Sequence, residues 1–140
     1  MRQKMSNFAR DLKLVILNAS GADISVTFGV LTGAGAWETT PVPGTVIPSG
    51  AQQSYLSGVD NTLKAFGGNL PMAPANGGNI TPLWNWPASG PLTGSVTSTA
   101  LDSLTVTSSI TGDATNHATM QVTIMNAALG LKVHEMAESA

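Results

Sequence analysis

The side chains that most often perform acid–base chemistry are few in this chain and far apart. The two histidines are His117, beside a turn signal, and His134, near the C-terminal end. Glu135 follows His134 directly, which is not the four-residue spacing that puts two metal ligands on one face of a helix. Because acid–base catalysis needs such groups together in a cleft, the sequence indicates solvated histidines without a catalytic role.

The carboxylates, serines and thiols offer no reactive group either. Four aspartates each stand beside a turn signal, where an Asp side chain accepts hydrogen bonds from nearby backbone N–H groups: Asp23, Asp60, Asp102 and Asp113. No serine lies in a Gly-x-Ser-x-Gly turn, and the absence of cysteine excludes disulfides and thiolate ligands. We therefore expect no catalytic residue, no metal site and no cofactor, which favours a binding protein over an enzyme.

Two tryptophans close together are the most informative candidates for a binding site. Trp84 and Trp86 flank Asn85, so on a strand both indoles point to the same face. Trp86 abuts Pro87, where a strand must end because proline cannot donate to the ladder. We predict that one indole anchors the fold and the other reaches a ligand, with Trp86 as the ligand contact.

Trp37 and Tyr55 complete the set of candidate ligand-binding residues. Trp37 follows a Gly-rich stretch, residues 32–35, and indoles at loop margins anchor sugars, protein partners or lipid headgroups. The alternative is that all three tryptophans pack in the core or at its rim. We expect Trp37 to be exposed and Tyr55 to be a further candidate for the same surface.

The distribution of charge excludes several classes of ligand. Only 10% of the residues are charged and the net charge is −2, against about 25% charged residues in typical domains. Four of the six basic residues lie between positions 2 and 13, and Lys64 is the single one between positions 14 and 131. Nucleic acids and anionic membranes attract clustered Lys and Arg, so neither fits the body of this domain.

The length of 140 residues suits one domain. We expect a flexible arm over residues 1–11, a folded domain over residues 12–126 and a tail over residues 127–140. The apolar stretch 14–17 is too short for a signal peptide, and no stretch approaches the ~20 apolar residues of a spanning helix. The expected location is therefore cytoplasmic at synthesis, with release or action at a membrane surface.

The elements that must position these side chains are short strands separated by turn signals. Residues 12–18 and 24–28 predict a hairpin, residues 67–78 mostly a loop, and residues 118–126 a strand in which Met120, Val122 and Ile124 alternate with polar residues. Such a series favours a single-domain antiparallel β-sandwich. The predicted core consists of Val15, Leu17, Ile24, Val26, Phe28, Val106, Val122 and Ile124.

The order of these segments resembles that of the aegerolysin family over residues 12–126. The opening strand Leu14-Val15-Ile16-Leu17-Asn18 is followed by a Gly-Asp turn and a second strand. Further along stand Gly35-Ala36-Trp37, Val46-Ile47-Pro48-Ser49-Gly50, a strand ending near Ser57-Gly58, Gly67-Gly68-Asn69-Leu70, Leu83-Trp84-Asn85-Trp86-Pro87 with Gly90, and the closing strand 118–126. The chain departs from the family in lacking its cysteine near that proline, in its low charge and in the loop 71–79.

The resemblance implies a β-sandwich that recognises membrane lipid, peripherally and without nucleic acid. It further implies a larger pore-forming protein as partner, as in two-component toxins. Two other functions remain open: a self-assembling structural module, favoured by low charge and abundant Ser and Thr, and a carbohydrate-binding module, favoured by tryptophans beside Asn and Gln. A homo-oligomer is compatible with each of them.

Overall fold

The computed structural model describes residues 8–75, 77–99 and 104–126, which form two packed β-sheets. The expected all-β sandwich is confirmed. The strands are β1 Arg10–Ala19, β2 Ile24–Val26, β3 Val30–Gly33, β4 Ala36–Trp37, β5 Val46–Ile47, β6 Gln52–Val59, β7 Phe66–Asn69, β8 Met72–Pro74, β9 Ile80–Trp86, β10 Thr93–Ser98, β11 Leu104–Thr111 and β12 His117–Asn126. The predicted tail, residues 127–140, lies outside the described residues.

The smaller sheet has five strands in the order β11-β12-β1-β6-β4, and the larger has seven. The larger sheet runs β3-β7-β9-β8-β2-β5, with β10 paired to the other edge of β9. Among the described strand pairs, β1 and β12 are parallel and the others antiparallel. The first and last described strands are thus neighbours, although about a hundred residues separate them.

The predicted hairpin of β1 and β2 is wrong, because the chain crosses from one sheet to the other between them. Buried Asn18 holds this corner: its Nδ2 donates to Ala22 O and Ile47 O, each at 2.7 Å. Its Oδ1 accepts from the backbone N–H of Ser20 at 3.0 Å. The turn residues 19–23 are equally compatible with a hairpin and with a crossing between sheets. The hydrogen-bond partners of Asn18 show which of the two the chain forms.

The core confirms part of the predicted list and corrects the register of β1. Ile24, Val26, Val122 and Ile124 are buried in the core as expected, and Val106 packs against it while half-buried. In β1 the residues of the main core cluster are Leu12, Leu14 and Ile16; Val15 is also buried, at 8% exposure, whereas Leu17 is only half-buried. Residues 14–17 are all apolar, so alternation within that run does not choose a face.

Phe28 was predicted in the core and is instead 63% exposed. Val26 pairs with Met72 and Val30 with Asn69, so three residues on one side, 27–29, oppose two on the other, 70–71. Residues 27–29 belong to no strand, and their one extra residue acts as a β-bulge does, because it reverses the faces of the side chains that follow it. The bulge therefore turns Phe28 to solvent and makes Leu31, not Val30, pack against the core.

The segment predicted as a loop, residues 67–78, contains most of β7 and all of β8. Gly67 and Gly68 are buried between neighbouring strands, and a Cβ on Gly68 would lie 2.8 Å from Cζ2 of Trp84. Gly68 thus allows close packing of a large indole, whereas Gly77 and Gly78, with φ of 106° and 87°, lie in the turn between β8 and β9. The described residues contain no helix long and apolar enough to cross a bilayer.

Candidate ligand-binding face

The two neighbouring tryptophans lie inside the sandwich. Trp84 and Trp86 share one face of β9, as the spacing predicts, and both are buried, at 3% and 4% exposure. The expectation that Trp86 is the exposed one is wrong. Pro87 does end β9, but Arg10 covers the indole: its guanidinium carbon lies 4.8 Å from the ring centroid, and its Nη1 donates to Pro87 O at 3.1 Å.

Trp37 and Tyr55 also belong to the packed interior. Trp37 is half-buried and meets Trp84 edge to face, with ring centroids 6.1 Å apart and an interplanar angle of 75°. Tyr55 is 3% exposed, and desolvation by burial raises the pKa of its phenol. The structure thus brings Trp37 and Trp84 together, and of the four predicted site residues Trp37 alone combines core contact with partial exposure.

Four buried polar atoms have no hydrogen-bond partner among the described residues: Arg10 Nε, Tyr55 Oη, Ser57 Oγ and Trp84 Nε1. Trp37 pairs with Ser57 across β4 and β6, and Trp37 also contacts Trp84. A buried donor without a partner costs about 1–3 kcal/mol. Since Trp84 and Trp86 are buried, neither offers an open ring face to a ligand.

The larger sheet differs from the rest of the domain in its charge. Its seven strands carry no ionisable side chain. The ionisable side chains of the described residues lie on the smaller sheet or on connections: Arg10, Asp11, Lys13, Asp23, Glu38, Tyr55, Asp60, Lys64, Asp113 and His117. The outer face of the larger sheet is therefore electrically neutral at any ordinary pH.

This neutral face also exposes large apolar side chains. Val30 is 41% and Leu83 37% exposed, and both flank Asn69 in one cross-strand row that continues to Ser95. Side chains in register on adjacent strands share a face, and Phe28 lies two residues before Val30. We call the surface formed by Phe28, Val30, Asn69 and Leu83 the bulge face. A contiguous exposed apolar patch is a common feature of interaction sites.

A shallow depression of about 210 Å³ adjoins the bulge face. Leu83, Asn85, Thr93 and Ser95 line it together with Trp84 and Gly94. The register pairs Thr93 with Asn85 and Ser95 with Leu83, so these four exposed side chains surround the depression. Its chemistry is one apolar side chain beside an amide and two hydroxyl groups.

Sequence reasoning missed the bulge face, although its lack of charge is visible in the sequence. Residues 24–37 and 65–101 contain no Asp, Glu, Lys, Arg or His. Both stretches lack charge but are rich in Thr, Ser and Asn. This composition predicts strands with one buried face and one polar but uncharged outer face. No local sequence pattern indicates that Phe28 is exposed, because the alternation of residues 24–28 predicts it on the buried side.

His117 is solvent-exposed as expected but has a partner. Its Nδ1 lies 3.0 Å from Oδ2 of Asp11, a carboxylate with 8% side-chain exposure, whereas the His117 side chain is 62% exposed. The two residues are opposite each other in the parallel β1–β12 pair. In the described part of the chain no group of three His, Cys, Asp or Glu could hold a metal ion, so this pair links two strands.

Known proteins resemble this chain in fold and not in sequence. No protein-family model and no curated protein matches the sequence. The solved structure of IP-1A from Alcaligenes faecalis is similar, with a TM-score of 0.63 and 16% identity over 86% of this chain and 93% of that one. The fold is aegerolysin-like.

Two further solved structures share this architecture. The RahU protein, solved in complex with a TRIS molecule, has a TM-score of 0.59 and 16% identity over 85% of this chain and 96% of that one. The lipid-binding protein Nakanori has a TM-score of 0.63 and 11% identity over 84% of this chain and 72% of that one. At these identities the similarity establishes the expected fold, and family membership stays a resemblance.

Proposed function

We propose that this protein is a peripheral lipid-binding protein without catalytic activity, and that it contacts neutral membranes through the bulge face. The observation that carries the proposal is the exposure of Phe28 on the connection between β2 and β3, beside an uncharged sheet face. The similarity of the fold to that of a lipid-binding protein supports it. The absence of basic side chains on the larger sheet favours zwitterionic or uncharged lipid over anionic lipid.

The apolar contact supplies a useful binding energy. A Phe side chain buries about 150–250 Å², and Phe28 exposes 63% of its surface. At about 25 cal/mol per Å², complete transfer of that exposed part from water contributes ~3 kcal/mol. That energy corresponds to roughly a hundredfold in the partition coefficient, with Val30 and Leu83 adding smaller amounts.

Flotation of the protein with phosphatidylcholine vesicles tests the proposal. Phe28→Ser should lower the partition coefficient at least tenfold, since it removes most of the apolar contact. The matched control is Leu63→Ser: Leu63 is 76% exposed but lies on a turn outside the sheet, so this variant should bind as the wild type does. Binding should be insensitive to salt, because no charge takes part.

Two results would contradict the proposal. One is the absence of binding to vesicles of any composition, and the other is an equal loss of binding in the Phe28 and Leu63 variants. A light-scattering series over protein concentration separates the self-assembling alternative, which predicts large assemblies without lipid.

The resemblance described above extends the proposal to a larger pore-forming partner protein, with this chain as the lipid-binding component released to act at a membrane surface. In that arrangement the protein alone should bind vesicles without releasing a trapped dye. Dye release by the protein alone, at concentrations where flotation shows saturation, would contradict a two-component mechanism.

A further inference from the structure

The depression beside the bulge face has a lining suited to a particular kind of headgroup. Asn85 contributes an amide with two donors and an acceptor, and Thr93 and Ser95 each contribute a hydroxyl. All three side chains are exposed. The Thr93 hydroxyl makes a long bond, 3.4 Å, to the backbone O of Asn85, and within the described part of the chain the Asn85 amide and the Ser95 hydroxyl have no partner.

The charged headgroups of phospholipids do not match this lining. Phosphate is bound most strongly by Arg, Lys and helix N-termini, and quaternary ammonium by aromatic faces. The depression contains no ionisable residue, and its aromatic member, Trp84, is 3% exposed. A headgroup held here must be recognised by uncharged hydrogen bonds.

Hydroxyl groups of a sugar satisfy this requirement, since each both donates to and accepts from amide and hydroxyl partners. The volume of about 210 Å³ is below the ~300–1,000 Å³ of pockets for drug-sized ligands, which suits contact with a single sugar ring. Leu83 lines the depression and also belongs to the bulge face. A ligand there is therefore polar at one end and contiguous with an apolar surface at the other.

We propose that the depression formed by Leu83, Asn85, Thr93 and Ser95 recognises the single-sugar headgroup of a neutral membrane glycolipid. This inference rests on the proposed lipid-binding function and adds the class of lipid. The bulge face supplies contact with the bilayer, and the amide and hydroxyl groups supply the preference for the headgroup.

Co-sedimentation with two sets of vesicles tests the inference. One set is phosphatidylcholine alone, and the other is phosphatidylcholine with a fifth of its lipid replaced by glucosylceramide. The wild type should bind the second set at least tenfold more tightly. Asn85→Ala combined with Thr93→Val should reduce binding to the level seen with phosphatidylcholine alone, and Ser95→Ala should reduce it in part.

Thr107→Val is the matched control, because Thr107 is an exposed threonine on β11 of the other sheet. It should leave both binding constants unchanged. Since the substituted side chains are exposed, the variants should unfold at the same urea concentration as the wild type, which separates loss of a contact from loss of the fold.

The outcomes separate the two proposals. Equal binding to both vesicle sets, still reduced by Phe28→Ser, overturns the glycolipid inference and leaves the lipid-binding function standing. Binding to neither set overturns both. If soluble methyl glucoside binds as tightly as the glycolipid vesicles do, the bilayer contributes nothing to binding. That result overturns the assignment to a membrane glycolipid and indicates a site for a free sugar.

Discussion

Replacing Trp84 tests how the two sheets are held together. Its indole is 3% exposed, meets Trp37 edge to face and lies against Gly68, where no side chain intervenes. Trp84→Ala removes one of the two indoles of this pair and leaves a cavity between the sheets.

The expected magnitude follows from these contacts. A buried Trp→Ala substitution costs about 3–5 kcal/mol, and loss of the aromatic pair accounts for about 0.5–1.5 kcal/mol within that range. Trp84→Phe keeps an aromatic ring and removes an N–H that has no partner among the described residues. Because such a donor costs about 1–3 kcal/mol, the Phe variant should lose less than about 1.5 kcal/mol.

Urea denaturation followed by far-ultraviolet circular dichroism measures both variants. Trp84→Ala should lower the free energy of unfolding by roughly 3–5 kcal/mol and the Tm by about 10 °C or more. Phe28→Ala is the control, since that side chain is 63% exposed, and it should stay within about 0.5 kcal/mol of the wild type. A loss under about 1 kcal/mol for Trp84→Ala would refute its place in the core, and equal losses for the Ala and Phe variants would refute the unpartnered N–H.

Three other predictions follow from particular contacts. Tyr55 is the chain's one tyrosine, and burial raises the pKa of its phenol above the usual 10.0; tyrosinate absorbance should therefore show a midpoint above pH 10.0, and stability should fall as pH rises past that value because the unfolded chain releases the proton first. A midpoint at 10.0 would contradict it. Arg10→Met should cost ~1–2 kcal/mol in urea, since it loses the contact over Trp86 and a charged hydrogen bond, and an unchanged midpoint would show that the guanidinium contributes nothing. Gly29→Ala places a Cβ 2.6 Å from Cζ2 of Trp37 and should cost about 1–3 kcal/mol by overpacking; if stability is retained, the bulge is looser than its geometry indicates.

The strand-forming segments could largely be predicted from the sequence, because alternation is a local property of the chain. Met120, Val122 and Ile124 face the core as predicted, and β9 ends at Trp86, before Pro87, as predicted. Alternation also placed Trp84 and Trp86 on one face. It did not give their exposure, because the covering group, Arg10, is more than seventy residues away in sequence.

The candidate site was less predictable, since it depends on two tertiary features. One is the bulge at residues 27–29, which becomes visible only when Val26 and Val30 are compared with their partners on β8 and β7. The other is the identity of the outer surface: of the predicted residues, Trp84, Trp86 and Tyr55 are buried and Trp37 is half-buried, while Phe28 is exposed.

The sequence by itself determined that this chain is an all-β domain with a poorly charged surface, since composition and two-residue periodicity are readable along the chain. Only the tertiary structure decided which sheet each strand joins, the parallel contact of β1 with β12 and the neutrality of one whole face. Those features depend on pairing between distant segments. A one-residue change in that pairing exchanges the buried and exposed faces of a strand. The extra residue at positions 27–29 has this effect on Phe28, which was predicted in the core and belongs to the candidate site instead.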